Sequence, residues 1–437
     1  MPEVYVKTLF GQKMLHPDGD VPLRRVDEMR ESRAVRRALG LKEIPCSEAV
    51  GDWLRRMGGW EHVRFSCEGE RIVGGYGDGL ERMRDLFYET TGGIVGRMRR
   101  TLDGTLDFEA SCIYGDKRCD EWMYTGEKGS MSYFAFMGRV CLVAELEMGN
   151  HSPGDHIEKR IGSAIEFAGR YGVEVSTLRS DSAGYTSEVV NAAERAGRRF
   201  YVRADVDCAV RSACERVRDW REYEVRLSKG QTALREMAAA VHCMDRTQNA
   251  FNLVVKREEL RGKEGTQQVL TGLSAPGYKY WCIATNERVK MGPEERGEGL
   301  TPSEVEEMFN DHCDVENRVK QLKSDAGIGR LPTSEMSANR VYVYIMALLH
   351  NLFELFKLEC LSSRHGNKRL PTIVREVLQV PGRIVVRGHR MIVDLPVYVR
   401  HLVQEYPEIL RAIAQDVRAL PRCASPPSGS QIIFRMN

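Results

Sequence analysis

Three apolar stretches that begin just after Thr101 constrain this chain more than any other feature. "TLDFEASCI" (105–113), "MSYFAFMG" (131–138) and "VCLVAELEMG" (140–149) each have strand composition, and polar or glycine-containing segments separate them. This spacing predicts a three-strand antiparallel meander. The period then changes. "PGDHIEKRIGSAIEFAGRYG" reads as a helix, "VEVSTLRSD" as a short strand, "SEVVNAAERAG" as a helix and "RFYVRAD" as a strand. A meander followed by strand and helix in alternation predicts an α/β fold, a mixed sheet with helices on both faces.

The remaining sequence is arranged around that core. Residues 22–95 show apolar positions three and four apart among charges, with Gly40 and Gly58 as stops, and residues 1–98 read as a helical, DNA-binding segment. The core begins in 99–205. Residues 206–300 form a β-rich insertion with strands at "EYEVRLS", "NAFNLVVKRE" and "YKYWCIATN". Residues 301–362 return to helix, and the second stretch, "SANRVYVYIMALLHNLFELFKLECL", is apolar on most sides and predicted to be buried. Residues 363–437 carry a hairpin at "GRIVVRGHRMIVDLP", a further helix and a loose tail. No internal repeat is present.

Composition excludes several classes. No run of about 18 apolar residues predicts a membrane span, and residues 1–10 lack the layout of a signal peptide, so a cytoplasmic protein without a membrane partner is expected. Twelve cysteines include no CxxC pair and read as reduced packing thiols. The 64 basic and 62 acidic side chains nearly cancel, to a net charge of +2. Arginine nonetheless clusters at Arg97, Arg99 and Arg100, at Arg33 with Arg36 and Arg37, and at Arg383 with Arg387 and Arg390. Each cluster is either a phosphate-binding face or a solvated surface.

Carboxylates carry the main chemical signal. Asp107 and Glu109 fall on one face of the opening strand, Asp181 sits at the carboxyl end of a later strand, and Glu316 lies in a helix. Three convergent carboxylates hold the divalent ions that phosphodiester cleavage requires. With 62 acidic residues, however, spacing alone does not distinguish such a set from solvated side chains.

Longer stretches single it out. "TLDFEAS", "YTGEKGS" before "LVAELEMGNHSPG", "LRSDSAGYTSEVVNAAERAGRRFYVRAD", "AVHCMDRTQNAFNLVV", "YWCIATN" and "VENRVKQLKSDAGIGRLPTSEMSANRVYVY" with "LLHNLFELFK" cover about residues 100–360 in order. Together they resemble the group 1 DDE transposases of bacterial and archaeal insertion sequences. The resemblance implies an RNase H-like core, a site for Mg²⁺ or Mn²⁺, and strand cleavage and joining at the ends of a mobile element. It implies double-stranded DNA at the inverted repeats and the target as partners, a homodimer that pairs two ends, and a location at the nucleoid. By position it assigns Glu109, Asp181 and Glu316, with help from Asp107, to the metal, and Lys323 to phosphate. His312 and Lys320 fall beside them as DNA contacts, and Asn317 and Asn339 match family positions, where packing or helix capping is an equal alternative. Glu316 and Lys323 are seven residues apart and share a helix face.

The departures predict altered activity. Glu109 stands where the family carries aspartate, and Phe309 and His312 stand where it tends to carry tyrosine and arginine. Less helical sequence precedes "VDEMRESRAVRRALGL" than the family usually has, which bears on recognition of the element's ends. Two rival readings remain: a decayed copy that only binds element DNA, and an unrelated RNase H-like nuclease, since fold does not fix function. Other candidates are weaker. His151 and His156 read as surface residues, Gly74 to Gly79 as a connection without the P-loop lysine, and Tyr185 and Trp281 as half-buried rings that have the alternative of stacking on bases.

Overall fold

The computed structural model describes residues 2–17, 21–59, 63–65, 71–73, 78–226, 232–259, 278–291, 295, 297–311, 313–379, 383–387, 390–397, 400, 404 and 431–436. The N-terminal third holds helices α1 (Pro2–Leu15), α2 (Asp27–Arg30), α3 (Arg33–Ala38), α4 (Ser47–Gly58) and α5 (Asp78–Met98), with a small hairpin, β1 (Val63–Phe65) and β2 (Arg71–Val73), between the last two. Among the described residues the helical reading of 22–95 holds except at β1 and β2, where "VRF" and "RIV" pair as antiparallel strands. The N-terminal helix α1 buries Leu9, Thr8 and Gln12 on one side, and Gln12 Nε2 donates to the Pro22 carbonyl at 2.8 Å.

The meander forms as expected, as β3 (Thr105–Tyr114), β5 (Lys128–Met137) and β6 (Val140–Met148), with a two-residue strand β4 (Glu121–Trp122) beside β5. Next come α6 (Ile157–Arg170), β7 (Thr177–Ser180), α7 (Ser187–Arg195) and β8 (Arg199–Ala204). β3, β7 and β8 run parallel, and β5 is antiparallel to both β3 and β6. The spatial order β6-β5-β3-β7-β8 is the RNase H-like mixed sheet.

The insertion does not stand apart from this sheet. After α8 (Cys208–Arg216) come β9 (Arg221–Arg226), β10 (Thr232–His242), β11 (Phe251–Glu259) and β12 (Tyr278–Thr285). β12 pairs antiparallel with the outer edge of β8, and β11, β10 and β9 follow outward, so the sheet reaches ten strands. β10 escaped the sequence reading because "TALREMAAAVH" is rich in alanine and has weak strand propensity. Tertiary pairing on both sides overrides that preference.

The stretch expected as one long helix after Thr301 is two, α9 (Pro302–Asn310) and α10 (Cys313–Ser324). Thr301 caps α9 in a box with Glu304. The buried helix is α11 (Met336–Cys360), packed on α4, α5 and β6. At 25 residues it is apolar enough to meet the length and composition of a bilayer span, which corrects the expectation that no segment would. Yet 78% of that window is buried against the rest of the chain, as a core helix requires. The C-terminal part has a short α12 (Leu370–Ile373) and a hairpin, β13 (Arg383–Arg387) and β14 (Arg390–Leu395). The expected loose end is corrected at β15 (Gln431–Met436), which pairs parallel with β14. The expected helix between them lies largely outside the described residues.

Two apolar cores sandwich the sheet. One, under α6 and α7, includes Phe108, Leu142, Ile161, Phe167 and Phe200. The other, under α4, α5, α10 and α11, includes Trp53, Phe87, Phe134, Phe136, Leu322 and Ile345. One polar side chain joins the second core to the sheet. Asn351 on α11 is wholly buried; its Oδ1 accepts from the Cys141 amide at 2.8 Å, and its Nδ2 donates to the Cys141 carbonyl at 2.8 Å and to Thr91 Oγ1 at 3.0 Å. Cys141 lies beside the register shift between β5 and β6, so a side-chain amide satisfies backbone groups on the edge strand there. Asn351→Leu orphans that amide and carbonyl, and we expect a loss of about 2–4 kcal/mol of stability in urea unfolding, whereas Asn351→Gln loses less.

Candidate active site

The site is built where β3 and β7 run side by side. Their parallel register pairs Asp107 with Arg179 and Phe108 with Ser180, so Glu109 and Asp181 follow as the next pair, at the point where β7 leaves the sheet. Alternation puts Asp107, Glu109 and Ser111 on one face of β3. The opposite set, Leu106 and Phe108, is buried in the core under α6 and α7.

Asp107 faces a cation. Arg179 Nε lies 2.7 Å from Asp107 Oδ1 and its second terminal nitrogen 3.0 Å from Oδ2, a two-pronged pair within the sheet. Only 2% of Asp107 and 9% of Arg179 is exposed. The remaining Arg179 nitrogen donates to the Met308 carbonyl at 3.0 Å and lies 3.6 Å from Asp311, which ties the end of α9 to the sheet. Burial opposes the Arg179 charge, but the Asp107 carboxylate outweighs it, and the guanidinium is held above its ordinary range. The sequence reading missed Arg179; the available signal was a lone arginine inside an apolar strand, two residues before Asp181.

Asp181 is half-buried and caps the turn that follows β7: its Oδ1 accepts from the Ala183 amide at 3.1 Å. Glu109, also half-buried, lies near the third component, Lys323. Lys323 reaches from α10 to β3, where its ammonium donates to Ser111 Oγ and the Cys112 carbonyl, both at 2.6 Å. Burial lowers its pKa, against the opposing pull of Cys112 and Glu109. In this structure the lysine therefore tethers α10 to β3, close to Glu109. Tyr124, exposed on the turn after β4, adds a phenol whose neighbours include Cys112 and Asp181.

The other sequence candidates are more scattered. Glu316 and Lys320 are exposed on α10, on the same face as Lys323. His312 lies outside the described residues, as do Gly74 to Gly77. Arg97, Arg99 and Arg100 are exposed at the end of α5, with Arg97 3.5 Å from Glu359. Asn339 is buried and holds the Thr333 turn, accepting from its amide at 3.0 Å and its hydroxyl at 2.9 Å, whereas Asn317 is exposed. His151 lies 3.3 Å from Asp155. Tyr185 meets Phe251 edge to face, and Trp281 lies under Lys256 and Lys279. Among the described residues, no three or more histidine, cysteine, aspartate or glutamate side chains come together as a metal site. The Glu109 and Asp181 pair supplies the hard oxygen donors that Mg²⁺ or Mn²⁺ takes; Glu316 does not join them in this arrangement.

The family model described as transposase DDE domain, group 1, matches residues 99–420. The chain belongs to that family. The match runs from the turn before β3 past β14, so one DDE domain takes in the core sheet, its insertion and α9 to α11. No curated protein matches the sequence. Among solved structures, the chain is similar to a piggyBac transposase synaptic complex with hairpin DNA, at 9% identity and a TM-score of 0.42, over 98% of this chain and 78% of that one. It is also similar to the Mos1 transposase paired-end complex with the left transposon end, at 14% identity and a TM-score of 0.18, over 41% of this chain and 56% of that one.

In the DDE domain, the fork between Asp107 and Arg179 aligns the two strands that carry Glu109 and Asp181. Arg179→Leu leaves a buried carboxylate uncompensated, and we expect a loss of about 3–5 kcal/mol in chemical denaturation. The double variant Asp107→Leu with Arg179→Leu recovers a large part of it. If the two single losses simply add in the double variant, the fork is not the coupling element.

Proposed function

We propose that this transposase-family chain cuts and joins DNA at the ends of its own insertion sequence, using divalent metal held at Glu109 and Asp181. The observation that carries the reading is the placement of these two carboxylates on neighbouring parallel strands, within a DDE domain matched over residues 99–420. A bound Mg²⁺ or Mn²⁺ would supply activation of the attacking water or 3′-hydroxyl and neutralise charge on the leaving oxygen. The chain's own groups do the positioning. Glu109 and Asp181 offer oxygen ligands from a rigid sheet; Glu316, exposed on α10, is the third carboxylate of the reading but stands outside that pair. Lys323 holds α10 against β3, with its ammonium near Glu109. Asp107 serves as the counterion of Arg179 in this reading. The exposed Arg97, Arg99 and Arg100 carry the DNA backbone, joined by His312. The partners are double-stranded DNA at the inverted repeats and at the target, bound by a homodimer at the nucleoid, because two ends must be processed together.

A second reading is favoured by Glu109 in place of aspartate and by the exposed, separate position of Glu316: a copy that binds element ends without cutting them. Strand transfer separates the two. With purified protein, Mg²⁺ or Mn²⁺, and DNA that carries the repeats flanking the gene, we expect joined product, lost by at least about a hundredfold in Asp181→Ala. End-specific binding with no product, and cleavage restored by Glu109→Asp with His312→Arg, supports the binding-only reading instead.

A further inference from the structure

A cavity of about 490 Å³ opens between α10, α11 and the loop before α12, within the range of small-ligand sites. Its wall is strongly cationic. Arg139, Arg318, Lys320, Lys357 and Arg369 line it, with Glu354 as its one carboxylate. Arg369 also pairs with Asp325 at 2.9 Å, and with that carboxylate counted beside Glu354 the five cations keep an excess of three positive charges. His350, also on the wall, is buried with its pKa lowered by that burial and adds no charge at neutral pH.

These cations are held in place. Lys357 is only 6% exposed and lies 2.6 Å from Glu354, which Arg139 approaches at 3.7 Å. Arg139 also donates to the Gly366 carbonyl and the Asn367 side chain, and Lys357 to the Lys368 carbonyl at 3.3 Å. Burial lowers the Lys357 pKa, and Glu354 offsets this in part. Gathering like charges around one partly enclosed space is unfavourable, and an anion in that space relieves it. Arginine forks and lysine ammonium groups together suit phosphate oxygens.

We propose that this cavity is a phosphate-binding site that takes the backbone of DNA running along α10 from the carboxylate pair. Lys320 gives the direction: it stands on the lip, four residues and about one helical turn from Glu316 on the same face. A strand whose reacting phosphate lies at the Glu109 and Asp181 pair and that follows α10 past Lys320 delivers further phosphates to Arg318 and Arg369. The DNA assignment rests on the transposase reading; the phosphate assignment rests on the cavity alone.

The test uses the full chain and the variant Arg318→Gln with Lys320→Gln, altered on α10 alone, with circular dichroism and Tm in plain buffer to verify its fold. Two measurements are made: duplex DNA binding by fluorescence anisotropy across a salt series, and the Tm shift caused by inorganic pyrophosphate against NaCl of equal ionic strength. We expect the slope of log affinity against log salt to become shallower by about one unit for each cation removed. Lost pyrophosphate protection with an unchanged slope overturns the DNA source and assigns the cavity to free phosphates. A folded variant unchanged in both measurements overturns the proposal. Absent strand transfer with the slope change intact counts against the transposase reading alone.

Discussion

A carboxylate and a guanidinium buried between two parallel strands hold the centre of this protein in register. Asp107 and Arg179 face each other across β3 and β7 with two hydrogen bonds, and the third arm of the arginine reaches the end of α9. Charges in such a place are tolerated only when their partners are fixed, because desolvation is expensive and misalignment leaves it uncompensated. The pair therefore penalises any slip of β7 along β3, and such a slip would separate Glu109 from Asp181. The helices follow from the same anchor: α9 through Met308, and α10 through Lys323 two pleats further along β3.

Much of this architecture is legible in the sequence. The meander, the alternation to β8, the buried α11 and three of the four insertion strands follow from apolar periodicity and β-branched runs, which are local properties. What escaped depends on partners distant along the chain. β10 is stabilised as a strand by β9 and β11 rather than by its own alanine-rich composition, and β15 by β14, which a Pro/Ser/Gly-rich stretch separates from it. The division of α9 from α10, by contrast, falls at Asn310 and Asp311, residues of low helix propensity, and is a local signal.

The site was legible in a different way. Asp107, Glu109 and Asp181 stand out as residue types at strand positions, and the pairing of β3 with β7 makes two of them neighbours. The role of Asp107 was hidden because its partner is 72 residues away and is itself unremarkable in sequence. The family resemblance makes Lys323 a phosphate contact, whereas here it spends its donors on Ser111 and Cys112, a long-range contact that no helix periodicity encodes.

The fusion of the insertion to the core sheet has a consequence for how the chain acquires its fold. β8 completes the RNase H-like order at Ala204, yet the strand that covers its outer edge is β12, Tyr278–Thr285, the last of the four insertion strands to be made. As the chain leaves the ribosome, the core therefore presents an open hydrogen-bonding edge until the insertion is nearly complete. A non-local closure of this kind is slow, and an open edge invites pairing between chains. The insertion thus acts as the core's own edge cover, and shortening it at β12 would expose a strand that seeds association.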